Sequence, residues 1–215
     1  MLLCASMMCG NYDNLRDDVV SLDKAGVDMF HIDIMDGNFV PNFAMGRQDV
    51  STIRKHTAKP LDVHLMVSNI RNHLPILVEE KVDIVYIHPE ADNRILESFA
   101  FLKNHDISTG LAVSPQVSFS IVRELLPFTE YVLLMTVVPG FAGQAFLQQM
   151  HPKIEEFIDN KPKYTYKLLM DGAVSPAIIS TYSKRGVDGF ILGSSSLCRG
   201  NHNYAETIKR LKAGN

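Results

Sequence analysis

Residues 25–37 read Ala25-Gly26-Val27-Asp28-Met29-Phe30-His31-Ile32-Asp33-Ile34-Met35-Asp36-Gly37. A glycine able to adopt the left-handed conformation ends a helix, and a β-rich run follows it. Side chains alternate between the two faces of a strand, so Ile32 and Ile34 share one face while His31, Asp33 and Met35 share the other. The isoleucine face suits packing against helices. The opposite face carries a His and an Asp into the interior. A hydrogen bond between two core residues would account for that pair, but an isolated buried carboxylate is costly and needs a partner or a metal.

The same punctuation recurs at Arg185-Gly186-Val187-Asp188, and Lys81-Val82-Asp83 occupies the matching place without the glycine. Working outward, β-rich runs fall at 2–7, 27–35, 60–66, 83–88, 107–113, 131–136, 164–170 and 187–192. Helix-period runs fall at 14–25, 48–56, 71–80, 93–104, 118–126, 146–160, 176–185 and 204–213. Strict alternation of strand and helix implies parallel strands with right-handed crossovers. No linker, charge block or low-complexity tract divides the chain, so residues 1–215 read as one α/β domain, a single (β/α)8 TIM barrel. The turn after the first strand, Met8-Cys9-Gly10-Asn11-Tyr12, lacks the glycine fingerprint of a dinucleotide fold, which favours the barrel over an open sheet.

Composition excludes several classes. The chain has 215 residues, 46% hydrophobic and 21% charged, with a net charge of −3. Disorder is ruled out, and no basic stripe supports a nucleic-acid or anionic-membrane partner. No apolar run reaches the ~18 residues of a spanning helix, and the N-terminus has no basic signal-peptide region. Three cysteines, Cys4, Cys9 and Cys198, fit neither a disulfide framework nor a zinc motif. They read as buried small hydrophobes in a reducing cytoplasm.

In a barrel the chemistry sits at the C-terminal ends of the strands. Leu61-Asp62-Val63-His64-Leu65-Met66 places Asp62, His64 and Met66 on one face, with His64 expected level with His31 on the adjacent strand. Met170-Asp171-Gly172 puts another carboxylate at a strand end across the mouth. Two His and two Asp form a plausible site for one divalent ion, and the N/O donor set does not choose among Zn²⁺, Fe²⁺, Mn²⁺ and Co²⁺. Gly140, Phe141, Ala142 and Gly143 lie in a loop expected to lead straight into a helix. Gly172-Ala173 and Gly193-Ser194 follow the last two strands. Such loops let backbone N–H groups approach an anion, and helix N-termini add a favourable dipole. Met35, Met66 and Met135 end strands, as ordinary core or as an apolar ceiling over the reacting carbons.

The stretch from His31 to Gly37 followed by Phe39-Val40-Pro41-Asn42 resembles the signature of the ribulose-phosphate 3-epimerase family. So do His64-Leu65-Met66, the run from Val138 to Gln144, Met170-Asp171-Gly172 and Gly193-Ser194, in family order across residues 4–198. The resemblance implies a ribulose-phosphate-binding barrel that inverts C3 of a ketose phosphate, D-ribulose 5-phosphate to D-xylulose 5-phosphate, through a cis-enediolate. It implies His31, Asp33, His64 and Asp171 as metal ligands, with Asp33 and Asp171 also the acid/base pair. Ser6 and His64 would contact substrate, and Gly143, Gly172, Ala173, Gly193 and Ser194 would cradle the phosphate. Family members are often dimers or hexamers.

Four positions depart from the pattern: Val138 where Asn or Asp is usual, Leu169 where a Glu commonly lies, Ala173 for Gly and Ala5 for Pro. Leu169 removes a polar neighbour from below Asp171 and puts the tuning of that carboxylate in question. Ala142 and His88-Pro89-Glu90 resemble the allulose-6-phosphate 3-epimerase branch, so the carbon count of the substrate stays open. A decarboxylase of the same superfamily would carry Asp-x-Lys on a strand, whereas Asp33-Ile34-Met35-Asp36 has no lysine. A non-catalytic sugar-phosphate-binding barrel is the remaining alternative. At 215 residues the chain is near the minimum for this fold, leaving 37–45 and 141–144 as the segments able to close over substrate.

Overall fold

The computed structural model describes residues 1–198 and 203–214. Its strands are β1 (Leu2–Ser6), β2 (Met29–Asp36), β3 (Phe43–Ala44), β4 (Leu61–Met66), β5 (Ile84–Ile87), β6 (Ser108–Val113), β7 (Tyr131–Met135), β8 (Lys167–Asp171) and β9 (Gly189–Leu192). All but β3 run parallel, in the order β1-β9-β8-β7-β6-β5-β4-β2, and β1 pairs with both β9 and β2 to close the barrel. The short β3 pairs antiparallel with the end of β2. Around the barrel lie α1 (Leu15–Ala25), α2 (Arg47–His56), α3 (Ile70–Glu79), α4 (Ile95–Lys103), α5 (Phe119–Val122), α6 (Met150–Asn160), α7 (Pro176–Ser183) and α8 (Tyr204–Lys212). Among the described residues no helix is long and apolar enough to cross a membrane.

Alternation along the strands divides the buried residues into two sets. Phe30, Ile32, Ile34, Leu61, Val63, Leu65, Leu168, Met170 and Phe190 face the helices and join the main core. Cys4, Met29, Ile84, Tyr86, Ala112, Leu133, Met135, Leu169 and Ile191 fill the barrel interior as an apolar plug. Tyr86 fits because β6 presents a glycine opposite it: a Cβ on Gly110 would lie 2.3 Å from the ring. The polar inward residues of β2, β4 and β8 stand above this plug.

The repeated Val-Asp punctuation has a common geometry. Asp28, Asp83 and Asp188 accept the backbone N–H of Leu3, Leu61 and Leu168 at 2.9, 2.8 and 2.7 Å. Each carboxylate satisfies a donor at the start of the strand before its own. Gly26 and Gly186 have φ of +87° and +116°, and Lys81 takes the left-handed conformation itself at +55°.

Several expectations are corrected. Tyr164 ends a short 3-10 turn, so the seventh barrel strand begins at Lys167. The expected helix at 118–126 is a single turn, Phe119–Val122, followed by a 3-10 turn containing Pro127. The helix expected from residue 146 begins at Met150, so the 138–144 loop brings no helix N-terminus. That loop is braced instead by Gln144, whose Nε2 donates to the carbonyls of Val138 and Phe141 at 2.6 and 2.9 Å. Of the two segments expected to close, 37–45 is tied to the residue just before 141–144, since Asn42 Nδ2 donates to Gly140 O at 2.7 Å.

Candidate active site

At the C-terminal mouth a cleft is lined by Ser6, Asp33, Asp171, Met35, Met66 and Met135. Its far wall is Gly140, Phe141, Ala142, Gly143, Gly172, Ala173, Gly193 and Ser194. Every candidate named from the sequence lines this cleft except His31 and His64, which are fully buried beneath its floor. Met35 and Met66 pack with Val40, Met8 and Phe39 into a small apolar cluster on one side. The Gly172-Ala173 turn leads into α7, where Ser175 caps the helix by accepting from Ile178 N.

Strand register sets the polar cluster. His31 pairs with Asp62, and Asp33 with His64. His64 is therefore level with Asp33, one inward step above His31, which corrects the expectation that the two imidazoles share a height. Inter-strand hydrogen bonding fixes that stagger, and it has no trace in either strand alone. His31 Nε2 lies 3.3 Å from Asp33 Oδ1 and 3.9 Å from Asp171 Oδ2. His64 Nδ1 lies 3.2 and 4.0 Å from the same two oxygens.

These four side chains fit a divalent ion. Their donor atoms lie within 4.8 Å of one another, and bonds of about 2.0–2.2 Å to a common ion place its ligands roughly 3–4 Å apart. Buried His31 Nε2 has no hydrogen-bond partner among the described residues. The other nitrogen of each ring is engaged on the outside: His31 Nδ1 sits 2.6 Å from Asp62 Oδ1 and His64 Nε2 sits 2.8 Å from His88 Nε2. Outer hydrogen bonds of this kind orient imidazoles toward a metal.

The electrostatics are those of two carboxylates in unlike surroundings. Burial acts to raise Asp33, but the His31 imidazole, with that of His64 beside it, outweighs burial and holds the carboxyl far below the usual range. Burial raises Asp171 to about 7, with the Asp33 charge adding to it against the pull of His31. Burial lowers His64 to about 4. It would lower His31 too, but Asp62 and Asp33 push that imidazole well up. Ser6 Oγ donates to Asp33 Oδ2 at 3.4 Å.

The departures from the family pattern acquire locations. Leu169 joins the apolar plug, so the floor below Asp171 is hydrocarbon. Val138 is 56% exposed at the rim, with its side chain outside the cleft. Ala173 adopts φ +51°, a conformation that suits glycine better.

Sequence reasoning gave no site role to two features and misjudged a third. His88 and Ser114 continue the inward alternation of β5 and β6, a pattern that Ile84, Tyr86 and Ala112 already signal. Asp62 was placed inward but given no part. Cys9 and Cys198 are not buried hydrophobes: both are partly exposed and hydrogen-bond each other beside Gly193. Only Cys4 fits that expectation.

Comparison with known proteins bears on this geometry. The model of the Ribulose-phosphate 3 epimerase family matches residues 2–197. The ribulose-phosphate 3-epimerases of Bacillus subtilis (strain 168) and Aquifex aeolicus (strain VF5) are each 31% identical, over 193 and 195 residues. These alignments cover 88% and 90% of this chain, and 89% and 88% of the relatives. Among solved structures, that of KGPDC from Streptococcus mutans superimposes with a TM-score of 0.76 at 13% identity, covering 99% of this chain and 95% of that one. At that identity the likeness concerns the fold alone.

Proposed function

The chain belongs to the ribulose-phosphate 3-epimerase family, and from that premise we propose that this epimerase converts D-ribulose 5-phosphate to D-xylulose 5-phosphate by inverting C3. The observation that carries the reading is the pair Asp33 and Asp171, brought from β2 and β8 to one cleft whose far wall is lined by glycine-containing turns. Inversion removes a proton from one face of C3 and returns a proton to the other. One carboxylate cannot reach both faces, so two must flank the plane.

The phosphate sits against backbone N–H groups of the Gly172-Ala173 and Gly193-Ser194 turns, with the N-terminus of α7 behind the first. This fixes C3 between the carboxylates beneath Met35, Met66 and Met135, which keep water from the reacting carbons. Asp33 takes the C3 proton, leaving a planar cis-enediolate, and Asp171 delivers its proton to the opposite face. The reverse reaction exchanges the two roles. A single Zn²⁺, Fe²⁺, Mn²⁺ or Co²⁺ held by His31, Asp33, His64 and Asp171 would supply Lewis-acid stabilisation of the charge developing on oxygen. Ser6 orients Asp33 and contacts the substrate's polar end. The unpaired cysteines suit a reducing compartment such as the cytoplasm.

Ala142, which lines the cleft, favours D-allulose 6-phosphate as a second reading through its resemblance to that branch. Incubating metal-replete protein in D₂O with each ketose phosphate separates the possibilities. Deuterium at C3 of ribulose 5-phosphate is the expected result, and exchange confined to the hexulose establishes the second reading. No exchange with either, together with unchanged sugar-phosphate binding in Asp171→Asn, would indicate a binding barrel and overturn both.

A further inference from the structure

His64 is a buried imidazole with a neighbour at each nitrogen. Nδ1 faces Asp33 Oδ1 at 3.2 Å, and Nε2 faces His88 Nε2 at 2.8 Å. A neutral imidazole carries one proton, so it donates on one side only. With the proton on Nδ1, His64 donates to Asp33 and the nitrogen facing the carboxylate cluster is blocked. With the proton on Nε2, it donates to His88 and the Nδ1 lone pair is free. Asp33 and His88 compete for that proton, and the protonated side of His88 tips the choice.

His88 is itself fully buried. Its Nδ1 lies 3.0 Å from Ser114 Oγ and 3.8 Å from Glu90 Oε2, and the Phe39 ring covers it with centroids 4.9 Å apart. A carboxylate beside Nδ1 favours a proton there, with Ser114 Oγ as acceptor. His88 Nε2 is then a bare lone pair, able only to accept. His31 has the matching arrangement: its Nδ1 is engaged by Asp62 and its Nε2 is left facing the cluster.

We propose that His88 is a positioning residue: oriented by Glu90 and Ser114, it accepts the Nε2 proton of His64 and so keeps the Nδ1 lone pair of His64 turned toward Asp33 and Asp171. The inference rests on the metal-site reading above, but its first test needs neither metal nor substrate. In the metal-free full-length protein with ¹⁵N-labelled histidine, long-range ¹H–¹⁵N correlations report the His64 tautomer. The expected form is Nε2–H in the parent. His88→Leu, which removes the acceptor, shifts His64 to Nδ1–H bonded to Asp33. His88→Gln, whose amide oxygen can accept, keeps Nε2–H.

In Zn²⁺ competition against a chelator, His88→Leu weakens binding about 10–100-fold, as removal of such outer partners typically does, and His88→Gln restores most of it. A merely structural role would impair both variants alike. An Nδ1–H tautomer in the parent overturns the proposal, as does equal Zn²⁺ affinity in the Leu variant and the parent, or equal impairment of the Leu and Gln variants. Should His88→Leu fail to fold, Glu90→Gln gives the same reading, since loss of the carboxylate shifts His64 toward Nδ1–H, and an unmoved tautomer there refutes the proposal. Failure of the deuterium exchange assay with the tautomer pattern intact would count against the substrate reading alone.

Discussion

Replacing Gly172 by alanine tests how the Gly172-Ala173 turn and the Asp171 carboxylate are held together. Gly172 follows Asp171 directly and has φ of +106°. A Cβ there would lie 2.5 and 2.9 Å from Val137 Cγ2 and Cγ1, and 2.9 Å from Val137 N, where carbon contacts normally sit at about 3.5–4.0 Å. Rotating the valine clears its methyls but not its backbone nitrogen, so the chain itself must move. The positive φ costs roughly 1–2 kcal/mol and overpacking about 1–3, against a gain of about 0.4–1 from a stiffer unfolded chain, for a net loss of about 1–5 kcal/mol. For a domain of this size that lowers Tm by roughly 2–20 °C. Urea denaturation checks it as a shift in midpoint at constant m. Val137→Ala in the same background should recover about 1 kcal/mol through the pair's coupling. Because Thr136 N and Oγ1 both hold Asp171 O, at 2.7 and 2.9 Å, the displaced backbone carries the carboxylate with it. Exchange activity should therefore fall even where the variant is fully folded. A Gly172→Ala protein within about 0.5 kcal/mol of the parent would refute the steric reasoning.

Three further outcomes follow from single side chains. The Tyr86 hydroxyl is buried with no hydrogen-bond partner among the described residues, so Tyr86→Phe should be neutral or stabilising by about 1 kcal/mol in urea denaturation, and a loss of that size would contradict it. Burial acts to raise Asp36, but the N–H groups of Ser68, Phe39 and Asn38 outweigh it and hold the carboxyl down at about 2. Its contribution to stability is thus complete above about pH 4 and lost as pH falls toward 2, and Asp36→Asn should flatten the acid limb of a stability–pH curve. The Cys9 thiol is lowered to about 7, first by the hydrogen bond from Cys198, then by Ser194 N and Ser6 against the opposing effect of burial. Its alkylation by iodoacetamide, followed by mass spectrometry, should rise about tenfold per pH unit below 7 and level off above it, and Cys198→Ala should move that plateau to higher pH.

Much of this site was legible because its signals are local. Period-two alternation assigned His31, Asp33, His64 and Met35 to the inward face, and that assignment depends on strand geometry alone. The repeated Val-Asp punctuation marked strand starts. The lining of the cleft followed from the rule that strand ends and βα loops build a barrel's mouth. The misreadings at 118–126 and from residue 146 have a local cause as well: helix-period apolar residues also pack from turns and loops, as Phe119 and Phe146 do here.

The sequence by itself determined the eight-fold alternation, the two faces of each strand and the residue types delivered to the mouth, because covalent periodicity dictates them. Tertiary structure decided what each residue meets. Register made Asp33, and not His31, the partner level with His64, since inter-strand hydrogen bonds set the stagger. Closure of the barrel brought Asp171 within 4.0 Å of both imidazoles across more than a hundred residues of chain. It also gave each imidazole its outer neighbour, Asp62 for His31 and His88 for His64. A ring nitrogen's role depends on what lies within hydrogen-bond distance in three dimensions, and no spacing along the chain contains that information.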